Sequence, residues 1–227
     1  MFDKLAKILG ITINNSQLFE VAVTHRSYLN EHRKQKLEHN ERMEFLGDAV
    51  LELVVTEYLY KNYQEAEGVL TNWRSALVKT ESLSAVALAL DLEQFIRLSR
   101  GEARGSERAK IQIMANSVEA IIGAIYLDQG YEAARGFIGS NIIKNLPEII
   151  ATGSWQDAKT KLQETAQEAE SYTPVYKVLE EEGPDHDKIF TIGVYVGKEL
   201  RGQGNGSSKQ AAQQAAAAEA LNFYKND

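Results

Sequence analysis

No proline interrupts the chain before Pro147, although its 227 residues carry three. Proline locks φ and removes a backbone donor, so it normally marks where a helix must end or bend. Across this long proline-free span apolar residues recur every three or four positions. They do so at Leu46, Val50, Leu53, Val54 and Tyr58, then at Leu77, Leu83, Val86 and Leu90. Ile113, Val118, Ile121, Ile122 and Ile125 repeat the pattern. That period belongs to amphipathic and buried helices, and strict alternation is scarce. The first 150 residues are therefore expected to form an all-α helical bundle.

The pattern changes after Pro147. Ala151-Thr152-Gly153-Ser154 is small and polar and reads as a linker. Residues 157–170 read as a helix, and Pro174–Leu179 as a strand. Ile189–Val196 alternates, with Phe190, Ile192, Val194 and Val196 on one side. A third strand is expected near Lys198–Gln203. Gly202, Gly204 and Gly206 then lead through Ser207-Ser208 into an alanine-rich helix reaching about Phe223, with serine as its N-cap. The expectation is two domains, 1–150 and 155–227, the second a small α+β domain ordered α-β-β-β-α.

Composition removes several classes of function. There is no cysteine, which excludes disulfides and thiolate metal sites and is compatible with a cytoplasmic location. No apolar run approaches the roughly 20 residues of a membrane-spanning helix. The opening MFDKLAKILGITINN is too mixed in charge for a secretory signal. A formal net charge of −7 argues against a polyanionic partner held by bulk electrostatics alone.

The chemistry concentrates in HNERMEFLGDAVL, residues 39–51. Glu41, Glu44 and Asp48 stand at i, i+3 and i+7, on one side of a helix. They border Phe45, Leu46, Ala49 and Val50. Gly47 lies inside the turn, where glycine costs about 1 kcal/mol relative to alanine and is expected to serve close packing. A second acidic element, Asn116 and Glu119, lies at i, i+3 in ANSVEAIIG. If the two helices pack together, Glu44, Asp48, Asn116 and Glu119 can converge into an oxygen-rich site suited to Mg²⁺ or Mn²⁺. The same spacing also fits solvated side chains and i,i+4 pairs. Glu67, before Gly68, reads as a charge in the first turn of a helix.

HNERMEFLGDAVL resembles the signature of ribonuclease III. THRSYLNE at 24–31, EGVLTNWRSALV at 67–78 and ANSVEAIIGAIYLDQG at 115–130 follow in that family's order. The C-terminal part resembles the double-stranded-RNA-binding domain of its bacterial members. The resemblance implies a dimeric, Mg²⁺-dependent endonuclease that cuts double-stranded RNA, leaves 5′-phosphate and 3′-hydroxyl ends, and processes ribosomal and messenger RNA precursors. It implies that Glu44, Asp48 and Glu119 are metal ligands, with Asp48 and Glu119 catalytic, and that Glu41 and Glu67 support the site. The fourth ligand position is usually Asp in the family and here is Asn116, which offers a neutral carbonyl oxygen. Phe45 would read as core from its residue type alone; the resemblance implies that it inserts into the partner subunit.

In the C-terminal domain the resemblance implies RNA contacts by Thr160, Gln163 and Glu164, which suit the shallow minor groove of A-form RNA. It implies a further contact by His186 and phosphate contacts by Ser208 and Lys209, where the family's basic motif is reduced to one lysine. From residue 155 onward 8 Lys and Arg face 12 Asp and Glu, so weak RNA binding is expected from this domain alone. Arg97, Arg100, Arg104 and Arg108, with Lys110, crowd the segment before Asn116. Beside an acidic centre they are expected to steer RNA backbone. The alternative is a double-stranded-RNA-binding protein that does not cleave, which the neutral Asn116 favours.

Overall fold

The computed structural model describes residues 1–32, 36–184 and 188–225. The chain divides into two compact units, Met1–Trp155 and Gln156–Asp227. Among the described residues no helix is long and apolar enough to cross a membrane.

The first unit is helical throughout. Its elements are α1 (Phe2–Leu9), α2 (Ser16–Ala22), α3 (Arg26–Glu31), α4 (Glu41–Asn62), α5 (Glu67–Val78) and α6 (Thr80–Ala89). They continue with α7 (Arg100–Ala103), α8 (Glu107–Gln129), α9 (Tyr131–Asn141) and α10 (Leu146–Thr152). α8 carries the core. Ser106 caps its start by accepting from the Ala109 amide at 3.3 Å. Gly130, at φ 82°, ends it. Ile113, Val118, Ile121, Ile122 and Ile125 are all buried on it, as the apolar face of a core helix requires. α2, α4, α6 and α9 pack around it.

The α4–α8 contact decides where the acidic residues meet. A Cβ added to Gly47 would overlap the Glu119 carbonyl and lie 2.9 Å from the Gly123 amide nitrogen. A Cβ on Gly123 would meet the Met43 carbonyl. Two glycines thus let the helices touch backbone to backbone, the packing role expected of Gly47. α4 departs from expectation on its outer face: Leu53, assigned to the apolar period, is 58% exposed. α10 runs through Ala151 and Thr152, residues expected to be linker, and ends at Gly153 in a left-handed turn. Trp155 packs edge-on against Trp73 of α5 at 6.2 Å.

The second unit comprises α11 (Ala158–Glu170), β1 (Val175–Glu182), β2 (Ile189–Val196), β3 (Glu199–Gly206) and α12 (Lys209–Leu221). The strands form an antiparallel sheet in the order β1-β2-β3. Leu162, Ile192, Val194, Ala212, Ala216 and Ala220 make its core between sheet and helices. The α-β-β-β-α order holds, and Ser208 caps α12 through the Ala211 amide at 3.2 Å. The third strand is longer than expected. Gly202, Gly204 and Gly206 lie inside it, opposite Val194, Ile192 and Phe190, rather than in a connection. A Cβ on each would strike the α12 backbone at Ala216, Ala215–Ala216 and Ala211–Ala212 respectively. Glycines in the strand and alanines in the helix are two halves of one close approach.

Candidate active site

α4 and α8 together build a cleft of about 370 Å³. α4 lines it with Glu41, Glu44, Phe45 and Asp48; α8 adds Gln112, Asn116 and Glu119. Asn40, itself buried, sets the start of α4: its amide donates to the Thr24 carbonyl at 2.9 Å, and its carbonyl accepts from the Glu44 amide at 2.8 Å. Of the acidic residues expected here, Glu41, Glu44, Asp48 and Glu119 are brought together. Glu67 is not. It opens α5, where its carboxylate accepts from the Thr71 hydroxyl, and it lines a different pocket beside Tyr63 and Arg74.

The electrostatics of the cleft are those of uncompensated negative charge. Burial, then the neighbouring carboxylates of Asp48 and Glu44, push the Glu119 carboxyl up to about 7. Burial also raises Glu44; Asn116 opposes that through a side-chain hydrogen bond, while Glu41 and Asp48 add to it. Arg26 pairs with Glu41 at 3.3 Å, and His39 lies 3.7 Å from the same carboxylate. Among the described residues no ion pair reaches Glu44, Asp48 or Glu119. No three described His, Asp or Glu side chains converge closely enough to hold a cation as they stand. Hard oxygens crowded against one another without a counter-charge fit a hard dication.

The Asn116 oxygen already accepts one hydrogen bond. Gln112, one turn earlier, donates through Nε2 to Asn116 Oδ1 at 2.7 Å. Sequence reasoning passed over Gln112, and its i,i+4 relation to Asn116 was the available signal. Phe45 is 80% exposed at the rim, so the core reading of its residue type is overturned. Tyr60 and Leu53 on the same helix are likewise exposed, at 78% and 58%.

The arginine segment separates into two kinds. Arg97 was expected to face RNA. Instead its guanidinium holds Glu20 at 2.7 Å, and its backbone pairs with Val23 and His25. It is a structural joint. Arg100, Arg104 and Arg108 are exposed. Ser99 accepts from the Glu102 amide at 3.1 Å and sets the turn that carries Arg100 and Arg104.

In the second unit Thr160, Gln163 and Glu164 are exposed on one face of α11. The Thr160 hydroxyl donates to Asp157, the N-cap of that helix. Lys209 is engaged: its ammonium pairs with Glu181 at 2.9 Å and lies 5.4 Å from the Phe190 ring centroid. Ser208 serves as a helix cap. His186 lies outside the described residues.

Comparison with known proteins follows these two units. Residues 15–146 match the Ribonuclease-III-like family, and residues 158–224 match the Double-stranded RNA binding motif. Ribonuclease 3 of Carboxydothermus hydrogenoformans is 45% identical over 224 residues, spanning 98% of this chain and 95% of the relative. Ribonuclease 3 of Bdellovibrio bacteriovorus is 43% identical, across 97% of this chain and 95% of its own. Among solved structures, the nuclease domain of ribonuclease III from Campylobacter jejuni superposes with a TM-score of 0.58 at 40% identity. The match covers 65% of this chain and 99% of that one. The chain belongs to the ribonuclease III family, as a double-stranded-RNA endoribonuclease with a double-stranded-RNA-binding domain.

Proposed function

We propose that this chain hydrolyses double-stranded RNA with Mg²⁺ held by Glu44, Asp48 and Glu119, Mn²⁺ being able to substitute. The observation that carries the reading is the burial of Glu119 beside Asp48 and Glu44, which pushes its carboxyl up to about 7. Uncompensated, desolvated acids are costly, and a bound dication removes the cost. When bound, the metal would polarise a water and offset charge developing on the phosphate. Glu119 and Asp48, which line the cleft from α8 and α4, would be among the residues that hold it. Glu41, tied to Arg26, would border the site without needing to ligate. Arg100, Arg104 and Arg108 would hold RNA phosphates by charge and forked donors.

The reading includes a homodimer formed through the exposed α4 residues Phe45, Leu53 and Tyr60, large apolar groups of the kind that anchor interfaces. Thr160, Gln163, Glu164, Ser208 and Lys209 would contact the RNA minor groove and backbone. Products with 5′-phosphate and 3′-hydroxyl ends, precursor ribosomal and messenger RNAs as substrates, and action in the cytoplasm complete it.

The test is a gel assay of the full chain on labelled RNA duplex. Cleavage is expected with Mg²⁺ and not with a chelator, and Glu119→Ala should bind the duplex without cutting it. Binding with no cleavage at any Mg²⁺ concentration would instead make this a non-cleaving RNA-binding protein.

A further inference from the structure

Residues 24–31, THRSYLNE, have no place in the mechanism above. Their contacts give them one. Ser27 and Glu31 stand four apart on α3 and so share one of its faces. Both meet the backbone of the arginine segment. Ser27 Oγ accepts from the Ser99 amide at 3.1 Å. The Glu31 carboxylate accepts from the Arg100 amide through both oxygens, at 3.2 and 3.3 Å. His25 fixes the serine: its Nδ1 accepts from the Ser27 amide at 3.3 Å and lies 2.8 Å from Ser27 Oγ. An amide can only donate, so Nδ1 carries no proton and the Ser27 hydroxyl donates to it. That leaves the serine lone pairs for Ser99. Ser99 in turn caps α7, the turn that carries Arg100 and Arg104. The same segment also sets the start of α4, where the Thr24 carbonyl accepts from the Asn40 amide at 2.9 Å. Arginine turn and acidic helix are thus mounted on one frame.

We propose that α3 is the seat of the arginine turn: Ser27 and Glu31 are positioning residues that pin the Ser99 and Arg100 amides, so that Arg100 and Arg104 meet RNA phosphates in register with the cleft. This rests on the reading of those two arginines as phosphate contacts. Ser27 is buried, and losing its hydroxyl would strand a buried amide, so the test falls on Glu31, which is exposed. There charge and position pull in opposite directions. A carboxylate beside phosphate-binding arginines repels RNA, so loss of its charge alone tightens binding. Its loss as an anchor loosens the turn and weakens binding.

The experiment measures duplex RNA binding by the full-length protein across a range of salt, without divalent cation so that no cleavage intrudes. Glu31→Ala should weaken binding about three- to tenfold and lower the salt slope by about one, the share of one phosphate contact. Glu31→Gln keeps an acceptor for the Arg100 amide without the charge, so it should bind as tightly as wild type or tighter. With Arg100→Ala and Arg104→Ala already present, Glu31→Ala should no longer weaken binding, because no contact is left to place. A second readout needs no RNA. The Arg100 amide should exchange with solvent about 10-fold faster in Glu31→Ala, the lower end for a hydrogen bond to a charged group, and less so in Glu31→Gln.

Tighter or unchanged duplex binding in Glu31→Ala, or an equal loss with and without the two arginines, would overturn the proposal. If Arg100→Ala with Arg104→Ala leaves duplex binding as it was, the reading of the arginines as phosphate contacts fails, and with it their placement for RNA. Unaltered exchange of the Arg100 amide in Glu31→Ala would overturn the seat itself.

Discussion

In the helical unit no described basic side chain pairs with Glu44, Asp48 or Glu119, whereas Glu170, Glu181 and Asp157 of the α+β unit each have a partner. Glu170 pairs with Arg201 at 3.1 Å, and Lys209 on Glu181 holds that carboxyl below its usual value. Burial would raise Asp157, but hydrogen bonds from Thr160, Gln214 and the Lys159 amide bring it below the ordinary value. The same side-chain chemistry is left unpaired in one cleft and paired in these places of the other unit. Crowded, unpaired acids are where a dication would bind, which is the site proposed above. In the second unit Lys209, proposed above to contact RNA, already has a partner in Glu181.

The sharpest break in that contrast is Glu119→Gln. It should reduce cleavage by more than about 100-fold, beyond the loss typical of residues that only support a ligand. Without metal and above pH 7 it should also make the protein more stable, by about 1 kcal/mol in urea melts, because it removes a repelled charge from a partly screened site. A loss of stability would mean that Glu119 is satisfied after all.

Backbone packing provides the next comparison. Gly47→Ala drives a methyl into the Glu119 carbonyl, and overpacking against backbone should cost about 3 kcal/mol and spread the cleft. Gly204→Ala makes the equivalent clash with α12. It should weaken duplex binding while leaving Mg²⁺ binding in the cleft unchanged. Equal effects of both changes on Mg²⁺ binding would show that the two units do not divide the work.

Protonation gives a smaller effect with a definite sign. The folded Glu119 carboxyl titrates near 7 against 4.5 when unperturbed. Between those values the unfolded chain has released a proton that the folded chain keeps. Metal-free stability should therefore fall as pH rises from about 4.5 to about 7 and then level off. The loss from this group should be about 1–2 kcal/mol after allowance for solvent screening. Saturating Mg²⁺ should flatten the slope; Glu119→Gln should remove its Glu119 part.

The smallest effect belongs to the α+β unit. Glu181→Gln frees Lys209 and should tighten duplex binding about two- to fivefold at low salt, with a steeper salt dependence. No change would mean that RNA does not recruit Lys209.

Helices, their core period and the shared face of Glu41, Glu44 and Asp48 were legible because they depend on local spacing. Their meeting with Asn116 and Glu119 stood only as a condition on how two helices pack. Gly47 was legible too, since a glycine inside a helix has a cost that needs a reason. Partnerships distant in sequence were not. Arg97 reads as one more cation in a basic run, and its carboxylate lies 77 positions away. Glycine at 202, 204 and 206 reads as a turn signal, and only the alanine face of α12 turns it into strand. Leu53 follows the helical period but faces outward, because period fixes a face only when that face is wholly buried. Gln112 escaped notice because an exposed glutamine carries no chemistry until its acceptor is seen.

Calorimetry of Mg²⁺ binding in buffers of different ionisation heat measures the protons displaced as metal enters, and so tests the cleft directly. At pH 7 binding should release about half a proton, since Glu119 titrates near 7, and almost none at pH 9. Glu119→Gln should lose both the proton release and most of the affinity. Mg²⁺ binding with no pH-dependent proton release, unaltered by Glu119→Gln, would place the metal elsewhere and contradict the assignment of this cleft.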